Sequence, residues 1–359
     1  MARPRKIVKT CRDAVSKEGV GGVLGARVAP PAYGDYHRVM RALRFHRYGP
    51  PDVLRIDELP EPSPAASQVK VRVQAVSLNP LDWKIRAGHL RLLPVFRSPP
   101  RGVATDFAAE IVAIGPGPNA RRVGERVFGS LQPTGRDGAL ADFIVVPDDR
   151  VLPIPDDLDA AQAAALPVAA GSALQALTDE AHVGAGQRVL ITGAAGGVGH
   201  FAVQIAKHLG AYVVGVCSEA NAAFVRELGA DEVIDYARDD YTRRSDRFDV
   251  VFDAASASSF AAAGPVLAAS GLYISTAGTT TAAVDAVVAA VLARLTSRQR
   301  AIPMLLRNDA RIWQRLLQLV RQKAIKAHIE RTITIEEVAE AQRAMETGHG
   351  RGKIVVRLN

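Results

Sequence analysis

Cysteine is nearly absent: the chain of 359 residues has two, Cys11 and Cys217, far apart. That count excludes a disulfide framework and a four-cysteine zinc lobe, and makes the reducing cytoplasm the expected setting. Long apolar runs are also missing. The longest apolar region, Ala282 to Leu295, carries Asp285 and is too short for a membrane span. It reads as a buried or cleft-lining helix. The N-terminus lacks the continuous apolar core of a secretory signal. A basic stripe is lacking too, although the net charge is +8. Residues 1–39 hold eight Lys or Arg against three acids, so most of the excess sits there. Nucleic-acid binding is therefore not expected as a main function.

The length suffices for two domains with real cores, and 48% hydrophobic with 23% charged residues is a soluble globular composition. Residues 1–39 are rich in Gly and Pro and weakly periodic, and read as a poorly ordered extension. Regular patterning starts at Met40, the expected native start; a basic organelle-targeting segment is the alternative for the tail. From Val69 to Val146, short β runs ("QVKVRVQAV", "AAEIVAIG", "ERVFGS", "ADFIVVP") are broken by Pro and Gly, a mostly antiparallel β pattern. From about Ala160, alanine-rich helical stretches alternate with "RVLIT", "YVVGV", "EVID", "DVVFDA" and "LYISTAG", which predicts a doubly wound parallel sheet. The chain ends in a helix and a strand of the first domain's type.

The stretch "VLITGAAGGVGHFAVQIAKHLGA", Val189 to Ala211, runs strand, glycine turn, helix. Against the fingerprint G-x-G-x-x-G its three positions are Ala194, Gly196 and Gly199, with alanine in place of the first glycine. Ala194, Gly196, Gly197, Val198 and Gly199 form the expected pyrophosphate turn, at the positive end of a helix predicted over Val198–Leu209. Past the second strand, Ser218, Asn221 and Tyr236 offer neutral hydrogen bonds, with no Arg or Lys among them, and Glu219 is equally suited to NAD. NADPH is favoured, with NADH as the alternative.

"AAALPVAAGSALQAL", "VLITGAAGGVG", "LGADEVIDY" and "GRGKIVV" together resemble the medium-chain dehydrogenase/reductase superfamily, specifically its zinc-independent, zeta-crystallin-like quinone oxidoreductase branch. "NPLDWKIRAG" and "AIKAHIERTITIEEVAEAQRAMETGHGRGKIVV" are similar to the subgroup of the reticulon-interacting mitochondrial protein and the chloroplast-envelope quinone oxidoreductase homologues. The resemblance implies a GroES-like catalytic domain built from both chain ends (residues 40–163 and 304–359). It likewise implies a Rossmann domain (164–303) between them and a nicotinamide cofactor in the cleft.

Zinc-dependent relatives place a Cys and a His-Glu pair where this chain has Asn79 and Thr105-Asp106, and the histidines are dispersed, so no zinc is expected. Hydride delivery to a quinone, enone or reactive aldehyde is then the favoured chemistry, since one hydrogen-bond donor or water can hold the developing oxyanion. Asn79 and Lys84 are the candidate catalytic residues; the bland readings are a turn residue and a solvated lysine. Asp82 is expected to cap locally, Trp83 to pack and Asp106 to be structural. Ser172, Thr276, Ala277, Gly278, Arg351 and Lys353 are the further candidate cofactor contacts. The rival reading of Arg351 and Lys353 is a charged turn before an edge strand. Ser256, where relatives often have Gly, is expected to narrow the approach. Ala282 to Ile302 reads as a lid, pocket wall or dimer contact, in a monomer or homodimer. The competing functions are an enoyl-thioester reductase and a non-catalytic NADPH-binding sensor or interaction protein.

Overall fold

The computed structural model describes residues 38–96, 98–276, 298–307, 309–348 and 350–358; among them the strands form three sheets. Cys11 and the N-terminal extension through residue 37, with Ala277, Gly278, residues 282–297 and His349, lie outside the described residues.

The alternating runs near the start become β1 (Val39–Phe45), β2 (Leu54–Pro60), β3 (Gln68–Ser77), β4 (Arg101–Gly102), β5 (Asp106–Ile114), β6 (Arg126–Ser130), β7 (Phe143–Pro147) and β8 (Val151–Pro153). In β3, Val69, Val71 and Val73 are buried while Lys70 and Arg72 turn to the other face, the period-two pattern of a half-covered strand. The middle of the chain supplies β9 (Arg188–Thr192), β10 (Tyr212–Cys217), β11 (Glu232–Asp235), β12 (Phe248–Asp253), β13 (Leu267–Thr276) and β14 (Arg300–Met304). The end adds β15 (Ile329–Ile333) and β16 (Lys353–Arg357).

The second group forms an all-parallel sheet in the order β11-β10-β9-β12-β13-β14. This is the doubly wound order, and its winding reverses between β9 and β12, where sheets of this kind open a crevice at the strands' carboxyl ends. The mixed sheet is ordered β15-β16-β3-β5-β6-β8, with β7 also on β3. In it β16 runs antiparallel to β3, pairing Val355 with Ser77, so the chain's end completes the first sheet. Because β15 flanks its other side, β16 is an interior strand, and the edge-strand reading of Arg351 and Lys353 is corrected. At the end of the segment read as a lid, pocket wall or dimer contact, Arg300–Met304 forms β14, which pairs in parallel with β13 and extends the sheet.

Four helices matter for the site: α1 (Pro80–Ala87), α2 (Ala160–Ala164), α3 (Ala169–Leu174) and α4 (Gly199–His208). In α4, Phe201, Ala202, Val203, Ile205 and Ala206 are buried, and the chain turns out at Gly210 with φ +83°. One hydrophobic core joins both sheets: Phe128 of β6 packs 6.1 Å from Trp313, within a cluster that also holds Phe201 and Ile191. Among the described residues no helix is long and apolar enough to cross a membrane.

Candidate active site

The glycine turn sits at the carboxyl end of β9, at the reversal point. Its tight bend is made by Gly193, whose φ is +60°, and not by the position that the fingerprint numbering assigned. Ala194 then lies in ordinary backbone, its N–H donating to the Val216 carbonyl at 3.1 Å, which is why an alanine is accepted there. Gly199 brings α4 against β9 so closely that a Cβ would stand 2.0 Å from the Gly193 carbonyl oxygen. Gly196, Gly197 and Val198 remain partly open, and the N–H groups of Gly197 and Val198 have no acceptor among the described residues. Unpaired donors at the head of a ten-residue helix suit a pyrophosphate, so the turn fits a dinucleotide.

The turn is held from behind by His200, fully buried one residue past Gly199. The His328 N–H donates to Nε2 at 3.2 Å, so Nδ1 carries the proton and donates to the Gly196 carbonyl at 2.9 Å. Burial pushes this imidazole down to about 3, so it stays neutral. Dispersion along the sequence concealed it; its adjacency to the last fingerprint glycine was the available signal. Asp253 was missed as well. At the end of β12 it accepts from the Thr192 hydroxyl at 2.6 Å, the Tyr273 hydroxyl at 2.8 Å and two backbone N–H groups, bracing both sides of the crevice.

At the tip of β10, the Asn221 amide donates to the Ser218 hydroxyl at 3.3 Å, and the Tyr236 N–H donates to the Cys217 carbonyl. The structure adds a cation that is remote in sequence: Arg351 donates to Asn221 Oδ1 at 2.9 Å and to the Ala220 carbonyl at 3.1 Å, its guanidinium 5.2 Å from the Phe224 ring centre. The expectation of a tip without Arg or Lys is thereby corrected. Arg238 also stands there, 3.9 Å from Glu219.

Across the crevice, the loop leading into α1 carries the candidate catalytic residues. The Asn79 N–H donates to the Asp82 carboxylate at 2.7 Å, the local capping expected of Asp82. The Asn79 side chain, 5% exposed, donates from Nδ2 to Asp106 at 2.9 Å and accepts from Lys353 Nζ at 2.6 Å. Lys353 also donates to the Leu78 carbonyl at 2.8 Å. Asp106 additionally accepts the Val168 N–H at 3.3 Å, tying β5 to the segment before α3. Trp83 packs edge-on to His89. Lys84 is half-buried, Nζ 5.7 Å from the Trp83 ring centre, and burial lowers its pKa. Ser172 is buried on α3. Thr276 ends β13, its hydroxyl 3.2 Å from the Ala254 carbonyl, and Ser256 holds a left-handed φ of +52° while its hydroxyl bonds the Thr276 carbonyl.

One short turn links these regions. Arg351 reaches the β10 tip, the Gly352 N–H donates to the Ala195 carbonyl at 2.8 Å, and the Lys353 stem lies 3.4 Å from where a Cβ on Gly197 would stand. Of the places compared with zinc ligands, Asn79 bonds the Lys353 ammonium and Asp106 bonds Asn79. A carboxamide, a threonine and a lysine-neighboured carboxylate do not make a zinc donor set, and among the described residues no three His, Cys, Asp or Glu side chains gather as one.

Burial pushes the Asp82 carboxyl up to about 7; nearby Asp106 adds to this, while the Asn79 N–H and Lys353 oppose it. Since the folded pKa lies above the ordinary 3.8, the protonated form favours folding; that contribution is complete below about pH 4 and lost as pH rises to about 7. Asp82→Asn should therefore flatten the pH dependence. Relative to wild type it should gain on the order of 2–4 kcal/mol between pH 4 and 8. Urea melts of both proteins across that range check this, and parallel curves would show that Asp82 titrates normally.

Comparison with known proteins agrees with this architecture. Residues 65–156 match the alcohol dehydrogenase GroES-like domain family and residues 228–356 the family described as zinc-binding dehydrogenase. The chloroplast envelope quinone oxidoreductase homolog of Arabidopsis thaliana is 35% identical over 331 residues, covering 89% of this chain and 98% of that one. The mouse mitochondrial NAD(P)H oxidoreductase RTN4IP1 is 30% identical, with 89% of each chain covered. The solved quinone oxidoreductase of Coxiella burnetii superposes with a TM-score of 0.80 at 31% identity, over 90% of this chain and all of that one. The chain belongs to the medium-chain dehydrogenase/reductase superfamily, among its quinone oxidoreductase homologues.

Proposed function

We propose that this protein is an NADPH-dependent, zinc-independent reductase that transfers hydride to a quinone, an enone or a related activated carbonyl. The observation that carries the reading is the joining of an open phosphate turn to the Asn79 loop through residues 351–353. The cofactor, when bound, supplies the hydride. The chain's own part is to hold the pyrophosphate on the N–H groups of Gly197 and Val198, keep water out and offer donors to the oxygen that gains charge. Asn79 and Lys84 are those donors; Lys84 keeps a half-buried cation without a hydrogen-bonded or ion-paired carboxylate among the described residues. The preference for NADPH rests on Arg351. Its guanidinium is pinned beside Ser218 and Asn221, where a 2′-phosphate would be met by charge-assisted hydrogen bonds.

NADPH consumption, followed at its absorbance against a panel of quinones and enones, tests the reading; no acceptor faster than the uncatalysed background would overturn it. Arg351→Ala should raise KM for NADPH about tenfold or more, the cost of losing a hydrogen bond to a charged group, while KM for NADH stays nearly constant. Equal losses with both cofactors would place Arg351 elsewhere in function.

A further inference from the structure

Lys353 is only 3% exposed; burial lowers its pKa, and the neighbouring Asp106 and Asp82 carboxylates oppose that. Such burial is costly unless the ammonium's hydrogens are used, and here two are: one on the Leu78 carbonyl, one on Asn79 Oδ1. The second bond decides something. A side-chain amide has two faces of similar shape, and its neighbours fix which end is oxygen. An ammonium can only donate, and the Asp106 oxygen that faces Asn79 also accepts the Val168 N–H, so it is an acceptor. With Lys353 at 2.6 Å on one end and Asp106 at 2.9 Å on the other, the Asn79 amide has a single satisfied orientation. In it Oδ1 is consumed, one Nδ2 hydrogen goes to Asp106, and the other has no acceptor among the described residues.

We propose that Lys353 is a positioning residue that locks the Asn79 amide so that its remaining N–H is presented to an oxygen of the bound ligand. Turned the other way, Asn79 would set its N–H groups against the ammonium and its oxygen against a carboxylate. The lock joins the lobes as well, because the Lys353 stem lies against Gly197 of the phosphate turn while its head is bonded beside α1. This rests on the reductase reading, which gives Asn79 its donor role.

A double-mutant cycle tests it, with Lys353→Met, Asn79→Ala and the pair, each measured for kcat, KM for NADPH, NADPH dissociation constant and melting temperature. If Lys353 acts through Asn79, each single variant should lose about 10- to 100-fold in kcat per folded molecule, and the pair should lose no more than the worse single within about twofold. Multiplying losses, or a fall in melting temperature with kcat per folded molecule unchanged, would overturn the proposal and leave Lys353 structural. If Lys353→Met does not fold, Lys353→Gln, which keeps a donor without the charge, takes its place in the cycle. A wild-type protein inactive on the whole panel would defeat the reductase reading instead. The cycle is then decided on the NADPH dissociation constant, where non-additive losses support the lock and additive ones reject it.

Discussion

Replacing Gly199 by alanine should destroy cofactor binding. The added Cβ would stand 2.0 Å from the Gly193 carbonyl oxygen, 2.7 Å from its carbon and 2.8 Å from the Ala194 Cα. All three are backbone atoms, so no side chain can swing aside; relief requires α4 to move off β9, opening the turn whose N–H groups would hold the pyrophosphate. The expected result is a loss of NADPH affinity of about a hundredfold or more, with about 2–4 kcal/mol of stability lost to overpacking. Neighbouring glycines serve as controls for the cause. At Gly196 a Cβ would meet the Gly193 oxygen at 3.2 Å, and at Gly197 the nearest atom is the Lys353 Cδ at 3.4 Å, an ordinary contact. Melting temperatures of the apo variants should therefore fall steeply for Gly199→Ala, modestly for Gly196→Ala and little for Gly197→Ala. An equal fall at all three would mean that chain entropy, not the collision, sets the cost.

Gly352→Ala carries the second large effect. This residue has φ +65°, and a Cβ would lie 2.2 Å from the His328 carbonyl oxygen. The left-handed backbone costs a side chain about 1–2 kcal/mol, and the collision adds to it, for a total on the order of 3 kcal/mol. More than stability is at stake, because the flanking residues are Arg351 and Lys353. Displacing the turn should break the Gly352 N–H bond to Ala195, withdraw the guanidinium from Asn221 and loosen Asn79 together. KM for NADPH and kcat should both worsen, unlike in Arg351→Ala, where KM carries the effect. Gly348→Ala separates strain from collision: its φ is +76° with nothing within 4 Å of the new Cβ. If Gly352→Ala costs no more than Gly348→Ala, the packing of the turn on residue 328 does not matter.

Much of the architecture was legible in the residues because its signals are local. Alternation in "QVKVRVQAV" specifies a half-covered strand, and "VLITGAAGGVGHFAVQIAKHLGA" specifies strand, tight glycine turn and apolar helix without reference to the rest of the chain. The pattern of the final strand placed it with the first sheet, where it pairs with β3. Two features lay beyond the local patterns for a shared reason. The bend residue is Gly193 because β9 ends at Thr192, and β14 is a strand because β13 offers it a free edge. Both depend on neighbours that the local pattern does not contain.

The sequence by itself therefore determined the two sheet types, the strand, glycine turn and helix, and the family. Which charges meet was decided only by the tertiary structure. Arg351 and Asn221 are 130 residues apart, Lys353 and Asn79 are 274, and Asn79 and Asp106 are 27. Periodicity and turn chemistry act over a few residues along the chain. A hydrogen bond acts over about 3 Å of space, and only the closing of the first sheet by the last strand brings Lys353 within that distance of Asn79.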